Sequence, residues 1–214
     1  MRNFLFRINV LKSTQYDVPV ISVGNLSSGG TGKTPMVLWL VKLLSENNLS
    51  VAIISRGYGR KTSGFHWVEE NSKPETVGDE PLLFKQEFPN AVVAVCEKRV
   101  TAIDTVLREK SVDLIILDDA YQHQYVKPSF NILLSDYSKP FYSDFVLPAG
   151  NLRELRKNKS RANIIITTKC PDNLSDKQEL EIARKIAVSN SQSIFFSKLS
   201  YGKLSPVFNS EAIE

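Results

Sequence analysis

The sequence predicts an α/β fold in which a mostly parallel sheet carries helices on both faces. One observation is a β-rich apolar run, Val18–Val23, that leads through a loop rich in Gly and Ser into a segment with apolar residues at helical spacing. The other is that short apolar strands alternate with helical patterns along the rest of the chain. Right-handed crossover connections place the helices of such a chain on both faces of a parallel sheet.

The composition is that of an ordinary globular domain. Of the 214 residues, 42% are hydrophobic and 23% are charged, which argues against global disorder and allows one sizeable core. The net charge of +4 suits phosphate-rich ligands or an anionic membrane surface and gives no indication of nucleic-acid binding. We predict that Cys96 and Cys170, in apolar β-like surroundings, are buried reduced thiols. Because no apolar run is long enough to span a bilayer, we expect a soluble or peripheral protein.

Residues 18–35 read VPVISVGNLSSGGTGKTP, which is the strand, glycine-rich loop and helix start of a phosphate-binding loop. The glycines let backbone N–H groups turn toward a polyphosphate, and the dipole of the helix N-terminus adds to the attraction. We expect Lys33 to reach the β- and γ-phosphates and the Thr34 hydroxyl to bind Mg²⁺. The residues expected to bind the nucleotide are Gly29, Gly30, Thr31, Gly32, Lys33 and Thr34.

The loop departs at one position from the usual pattern G-x4-G-K-[ST]. Ser27 stands where that pattern opens with glycine, so the motif is relaxed. The alternative interpretation is a Gly-rich turn before a helix with an exposed lysine. Together with the alternating strands and helices, the motif indicates a P-loop NTPase-like α/β domain, which we assign to residues 17–200.

Further strands are expected along the domain. They are Val51–Ser55, Ala91–Val95, Val112–Asp119, Phe130–Leu134, Asn163–Thr167 and an edge strand at Ser193–Lys198. The segment Arg56–Arg60 follows the first of them, at the strand end where open α/β sheets bind ligands, but an exposed turn would explain it equally well. His66 and Trp67 are interpreted as structural. The basic segment Leu147–Lys159 is interpreted either as an anion contact or as a solvated helix face.

Residues 112–119, VDLIILDD, form a second strong motif because a buried strand ends in two acids. A carboxylate at the end of a strand beside a phosphate loop holds Mg²⁺ directly or through water. Asp118 is the better candidate for the metal-side carboxylate, and Asp119 can assist it or act on the acceptor. His123 follows closely and either orients the pair or packs against the domain.

Two other charged residues have competing interpretations. Asp79, in Val77-Gly78-Asp79-Glu80-Pro81, precedes a helical pattern and is most simply an N-cap. Arg99 follows a strand end, where a guanidinium can bind phosphate, although a surface salt bridge is the simpler explanation. Residues 1–16 combine basic and apolar side chains and are interpreted either as a membrane-surface segment or as a segment that packs against the domain.

The sequence resembles the tetraacyldisaccharide 4′-kinase family. The blocks VPVISVGNLSSGGTGKTP, ISRGYGR, VGDEP, LDDAYQH and LPAGNLRE occur in that family's order and approximate spacing over residues 18–154. The family also has Ser or Thr at the position of Ser27. The resemblance implies an ATP-dependent kinase of lipid A biosynthesis that phosphorylates the 4′-hydroxyl of a tetraacylated glucosamine disaccharide 1-phosphate. It further implies a peripheral location on the cytoplasmic face of the bacterial inner membrane, or a cytoplasmic one if residues 1–16 do not bind.

The resemblance also implies roles for single residues. Asp79 looks like the family's proposed catalytic base, which replaces the capping interpretation. Arg99 and Arg153 look like the arginines around the transferring phosphate or the acceptor. Asp118 and Asp119 look like the metal-side pair, so that the expected metal ligands are Thr34, Asp118 and Asp119, with ATP and Mg²⁺ as cofactors. The implied partners are the lipid substrate and the membrane surface, and no protein partner is inferred.

Some features depart from the family's pattern. Family members usually begin with a longer hydrophobic segment and continue past this C-terminus with a histidine that pairs with the catalytic Asp, so the sequence looks shortened at both ends and residues 201–214 are interpreted as a tail. Ala120-Tyr121 stands where Gly-Leu is more usual. The alternatives are a nucleotide-binding but catalytically incomplete remnant and, less favoured, a deviant P-loop ATPase. That last class needs a lysine where Ser28 precedes the paired glycines.

Overall fold

The structure, a computed structural model, describes residues 5–6, 8 and 10–200. Within these residues a sheet has the strand order β3-β4-β2-β5-β1-β6-β7-β8. The strands are β1 Val20–Asn25, β2 Val51–Ser55, β3 His66–Trp67, β4 Val92–Val95, β5 Leu114–Asp118, β6 Phe130–Asp136, β7 Ile164–Thr168 and β8 Ser193–Phe196. All neighbouring strands run parallel except β3, which is antiparallel to β4.

Helices lie on both faces of the sheet, as the sequence predicts. They are α1 Lys33–Glu46, α2 Pro74–Val77, α3 Asp79–Glu87, α4 Arg99–Glu109 and α5 Asp176–Ile186, together with short 3-10 helices at Phe141–Ser143 and Arg156–Arg161. On one face, α1 and α3 bury apolar side chains against alternate residues of the central strands. On the other face, α4 and α5 pack against the intervening residues. Because side chains alternate along a strand, the near-continuous apolar strands serve both cores.

Helices do not cover the whole face of the sheet beside α1. An apolar groove of about 730 Å³ runs between α1 and the ends of β6, β7 and β8. Trp39 and Phe195 border the groove and are each more than half exposed. Within the described residues, no helix covers this face of β7 and β8, whose other face packs against α5.

The strand predictions hold with small shifts in their ends. β1 begins two residues later than expected and continues to Asn25, because Gly24 and Asn25 still pair with Leu133 and Leu134 of β6. The predicted edge strand exists as β8, parallel to β7. Both cysteines are free and buried, as predicted.

The capping interpretation of Asp79 is wrong. Gly78 is the N-cap of α3, with φ 92°, and Asp79 is the first helical residue. A side chain on Gly78 would adopt an unfavourable left-handed φ and would also bring its Cβ to 3.0 Å from the carbonyl oxygen of Tyr58. The glycine therefore lets the chain turn sharply at this point, so that α3 begins with two acids.

The predictions for the two ends of the chain fall largely outside the described residues. Residues 201–214 lie entirely outside them, and residues 1–16 lie there in part. Of the N-terminal side chains, Phe6 is buried and packs edge-on against Tyr125, with ring centroids 5.0 Å apart. No helix in the described part of the chain is long and apolar enough to cross a membrane. The assignment of residues 17–200 as one domain stays a prediction.

Candidate active site

The phosphate loop joins β1 to α1 at the centre of the sheet. Gly32 is the N-cap of α1 with φ 80°, and, because glycine has no side chain, it offers no capping group. The first turn of α1 also carries no acid. The N–H groups at the start of α1 and the positive end of its dipole are therefore left for an anion, which is the property the sequence motif predicts.

The first half of the loop is held by the segment Asn151–Arg153. The carbonyl oxygen of Asn151 accepts hydrogen bonds from the N–H (2.7 Å) and the hydroxyl (3.0 Å) of Ser28. The N–H of Arg153 donates to the carbonyl of Leu26 at 2.7 Å. This short antiparallel contact carries the first part of the basic segment Leu147–Lys159 to the phosphate loop. The anion-contact interpretation of that segment therefore gains support for Arg153.

A buried asparagine supports the loop from beneath. Asn25 is fully buried, and its side-chain amide donates to the hydroxyl of Thr31 at 2.7 Å. The backbone carbonyl oxygen of Asn25 accepts a hydrogen bond from the Gln122 side chain at 2.7 Å, which links the loop to the segment after the two acids. This role was not predicted, because Asn25 is visible in the sequence only as a polar residue at the end of an apolar strand.

The two predicted acids lie beside the phosphate loop in different environments. Asp118 ends β5, is buried, and accepts a hydrogen bond from the Ser55 hydroxyl at 3.0 Å. Burial, and secondarily the nearby Glu80 carboxylate, raise the pKa of Asp118 to about 6. Asp119 follows with φ 45°, and its carboxylate lies between Lys33 (3.7 Å) and Arg153 (3.0 Å). The structure thus brings together four of the residues singled out in the sequence.

The start of α3 meets the start of α1. The Thr34 hydroxyl, the expected metal ligand, donates to a carboxylate oxygen of Glu80 at 2.6 Å. Asp79 is the preceding residue and its side chain is exposed. Glu80 was not singled out from the sequence, because its position beside Thr34 depends on how two helices meet rather than on any local pattern.

Arg99 lies behind the acids rather than in front of them. Its guanidinium is buried and donates to the backbone carbonyls of Cys96 (2.7 Å) and Asp118 (3.2 Å). Burial lowers the pKa of Arg99 to about 10, while the charges of Asp118 and Asp119 oppose that shift. The surface salt bridge considered for this residue is therefore absent, and a contact of Arg99 with phosphate stays a prediction.

The glycine-punctuated loop after β2 divides into two parts. The Arg60 side chain is 2% exposed and binds Glu97 at 2.5 Å and the carbonyl of Gly64 at 2.7 Å, so it fastens the loop. Arg56 and Tyr58 are exposed, Tyr58 to 89%. Arg56 is the member of the loop that remains available for a ligand.

The phosphate loop after β1, the acid-ended strand next to it and the basic side chains around them define a nucleotide-binding protein with the P-loop kinase fold. A solved structure of LpxK from Aquifex aeolicus in complex with ATP matches with a TM-score of 0.73 and 30% sequence identity. The match covers 99% of this chain and 80% of that one.

Sequence comparison identifies the family. The family model for Tetraacyldisaccharide-1-P 4′-kinase matches residues 1–207. The tetraacyldisaccharide 4′-kinase of Flavobacterium johnsoniae is 51% identical over 94% of this chain and 59% of its own length. That of Bacteroides thetaiotaomicron is 44% identical over 98% of this chain and 56% of its own length. The chain belongs to the tetraacyldisaccharide 4′-kinase family and spans less than two thirds of the length of these relatives.

Proposed function

We propose that the protein phosphorylates the 4′-hydroxyl of a tetraacylated glucosamine disaccharide 1-phosphate, with ATP as the donor, in lipid A biosynthesis. Family membership supports the reaction and the substrate class. The observation that carries the proposal for this chain is that Lys33 and Arg153 converge on Asp119 beside the phosphate loop. Two cations held by a half-buried carboxylate can exchange it for the oxygens of a transferring phosphoryl group.

In the proposed reaction, the 4′-hydroxyl oxygen forms a bond to the γ-phosphorus of ATP as the bond to the β-γ bridging oxygen breaks. The hydroxyl proton passes to a carboxylate, and ADP leaves. Asp79 is suited to accept that proton because it is exposed and lies one residue from the contact between Glu80 and Thr34. Lys33, Arg153 and the N–H groups at the start of α1 neutralise charge on the phosphates.

The donor set fits Mg²⁺, although no cluster of three or more His, Cys, Asp or Glu side chains suited to a metal occurs in the described part of the chain. Mg²⁺ in nucleotide sites needs few protein ligands because phosphates and water complete its coordination. Thr34 and Asp118 would hold it, with Asp119 and Glu80 nearby. Burial is the largest cause of the raised pKa of Asp118, so its carboxylate would gain from a bound cation. When bound, Mg²⁺ would neutralise charge on the β- and γ-phosphate oxygens.

The lipid nature of the substrate leads us to propose a peripheral protein on the cytoplasmic face of the inner membrane. Exposed apolar side chains near the N-terminus support such a contact, since Ile8 is 48% and Val10 is 63% exposed. The second candidate is a chain that binds nucleotide without transferring phosphate. The phosphate loop and the uncapped start of α1 support nucleotide binding by themselves.

The decisive experiment measures transfer of labelled γ-phosphate from ATP to the tetraacyl disaccharide 1-phosphate in detergent. Parent protein is compared with Lys33→Ala and Asp79→Ala, and with Lys42→Ala as a matched control, since Lys42 lies on the exposed side of α1. We expect transfer by the parent and the control, and a loss of about 100-fold or more in the other two. ATP binding without transfer by the parent would instead support the incomplete enzyme.

A further inference from the structure

The end of β7 contacts the phosphate loop at two successive peptides. The Thr168 hydroxyl donates to the carbonyl oxygen of Thr31 at 2.9 Å. The Lys169 ammonium donates to the carbonyl oxygen of Gly30 at 2.5 Å. Neither residue is part of the phosphate-loop motif, and each lies more than 130 positions further along the chain.

The Lys169 ammonium is itself held in place. It pairs with a carboxylate oxygen of Asp136 at 2.7 Å, at the end of the neighbouring strand β6. The other carboxylate oxygen of Asp136 accepts bonds from the N–H (2.8 Å) and hydroxyl (2.7 Å) of Ser138. The backbone of Lys169 adopts φ 58°, which is unfavourable for a residue with a side chain and therefore requires support from its surroundings.

These contacts fix the direction of the loop's peptides. In a trans peptide the C=O and the following N–H point in opposite directions. Because the carbonyls of Gly30 and Thr31 point toward β7, the N–H groups of Thr31 and Gly32 point away from it. The N–H of Thr31 donates to the carbonyl oxygen of Gly29 at 3.1 Å, which tightens the loop. In a phosphate loop, the direction of these N–H groups determines how well the backbone receives a polyphosphate.

We infer that Lys169 is a positioning residue of the phosphate loop, which it holds in the conformation that binds the nucleotide through the Gly30 carbonyl, with Asp136 as its anchor. This inference rests on the proposed function for its ligand, ATP. The Lys169 side chain is 38% exposed, and a partly exposed ion pair adds little to the stability of a fold. Loss of the ammonium is therefore expected to affect the loop far more than the domain.

The test compares ATP affinity, by titration calorimetry, in the parent and in Lys169→Met, Lys169→Arg and Lys185→Met. Lys185→Met is a matched control, since Lys185 forms an exposed 2.7 Å pair with Glu181 on α5. We expect Lys169→Met to weaken ATP binding about ten-fold, the effect of one charge-assisted hydrogen bond. Lys169→Arg should recover most of the affinity because it keeps a charged donor, and the control should bind like the parent.

Two further measurements separate positioning from a general structural effect. Asp136→Asn keeps an acceptor for Ser138 but weakens the hold on Lys169, so it should reduce ATP affinity by about three-fold. Where the parent transfers phosphate, Lys169→Met should raise KM for ATP and change kcat little.

Equal ATP affinity in the parent and Lys169→Met would overturn the inference and leave the proposed function standing. A lower melting temperature of nucleotide-free Lys169→Met, with no recovery of affinity in Lys169→Arg, would also overturn it. Failure of the parent to bind ATP would count against the proposed function itself and would remove this inference with it.

Discussion

The two strands that flank β1 each end in an aspartate, and the two carboxylates are held in opposite ways. Asp118, at the end of β5, is buried with a single hydroxyl donor, and burial raises its pKa to about 6. Asp136, at the end of β6, is also desolvated, but hydrogen bonds from Lys169 and Ser138 outweigh this and hold its pKa below the ordinary value. Asp118 has no ion pair among the described side chains, whereas Asp136 is paired with Lys169.

The difference indicates that the two aspartates at this edge of the sheet have different roles. A carboxylate with unmet charge gains most from an incoming cation, which suits the metal side of a nucleotide site. A carboxylate that is already paired gains little and serves as a fixed anchor. Four measurements of protein stability test this contrast.

The largest effect is expected for Asp118 in metal-free buffer. Because its pKa is raised from 3.8 to about 6, the folded state favours the protonated carboxyl. Stability from this group is full below pH 3.8 and is lost as the pH rises through about 6. Asp118→Asn should therefore be more stable than the parent by about 3 kcal/mol at pH 7.5 and equal to it near pH 3.5. Urea denaturation at both pH values measures this, and a pH-independent difference would contradict it.

An intermediate effect is expected for Mg²⁺ itself. A cation that binds only the folded state stabilises it, so millimolar Mg²⁺ should raise the stability of the parent by about 1 kcal/mol at pH 7.5. Asp118→Asn should lose most of that gain because the charged ligand is gone. Thermal denaturation with and without EDTA measures the gain, and an equal response of both proteins would remove Asp118 from the metal side.

A smaller effect of the opposite sign is expected for Asp136. Its lowered pKa means that its contribution to stability is present above pH 3.8 and is lost as the pH falls through the folded-state pKa. Asp136→Asn should therefore be less stable than the parent by about 1 kcal/mol at pH 7, with the difference closing in acid. Urea denaturation across this pH range measures the difference in the free energy of unfolding between the two proteins. An Asp136→Asn variant that is more stable than the parent at pH 7 would contradict the assignment of Asp136 as a paired anchor.

The smallest effect is expected for Lys33→Met in the nucleotide-free protein. The Lys33–Asp119 distance of 3.7 Å is long for an ion pair, and Arg153 remains as a partner of Asp119. The free energy of unfolding should change by less than about 0.5 kcal/mol. Guanidinium denaturation of the two proteins measures this. A decrease of more than about 2 kcal/mol in the free energy of unfolding would contradict this, because it would show that the Lys33–Asp119 pair contributes substantially to stability.

The contrast also separates what the sequence predicts from what it does not. Strands, phosphate loop and the Asp118-Asp119 pair follow from local patterns, namely apolar runs and the residues at their ends. Asp136 is visible in the sequence only as an acid after a strand, because its pairing with Lys169 depends on β6 and β7 being neighbours. Glu80 is hidden for the same reason, since its partner Thr34 belongs to another helix.

The expectation for Arg99 shows a different limit. A strand followed by Glu-Lys-Arg predicts a basic residue at the ligand-binding edge, and Arg99 does begin α4 there. Whether its side chain turns outward or beneath the neighbouring strand depends on the space behind Asp118. The carbonyls of Cys96 and Asp118 receive it in that space. Sequence gives the position of such a residue along the chain, but packing decides its direction.

The central place of β1 affects the order in which the protein folds during synthesis. Val20 pairs with Ile115 and Ile21 pairs with Phe130, so the strand that carries the phosphate loop leaves the ribosome long before either of its partners. Contacts that distant along the chain form slowly, because a long loop must close first. The nascent chain therefore holds the complete nucleotide motif well before the neighbouring strands have been made, and nucleotide binding must wait until β5 and β6 have paired with β1.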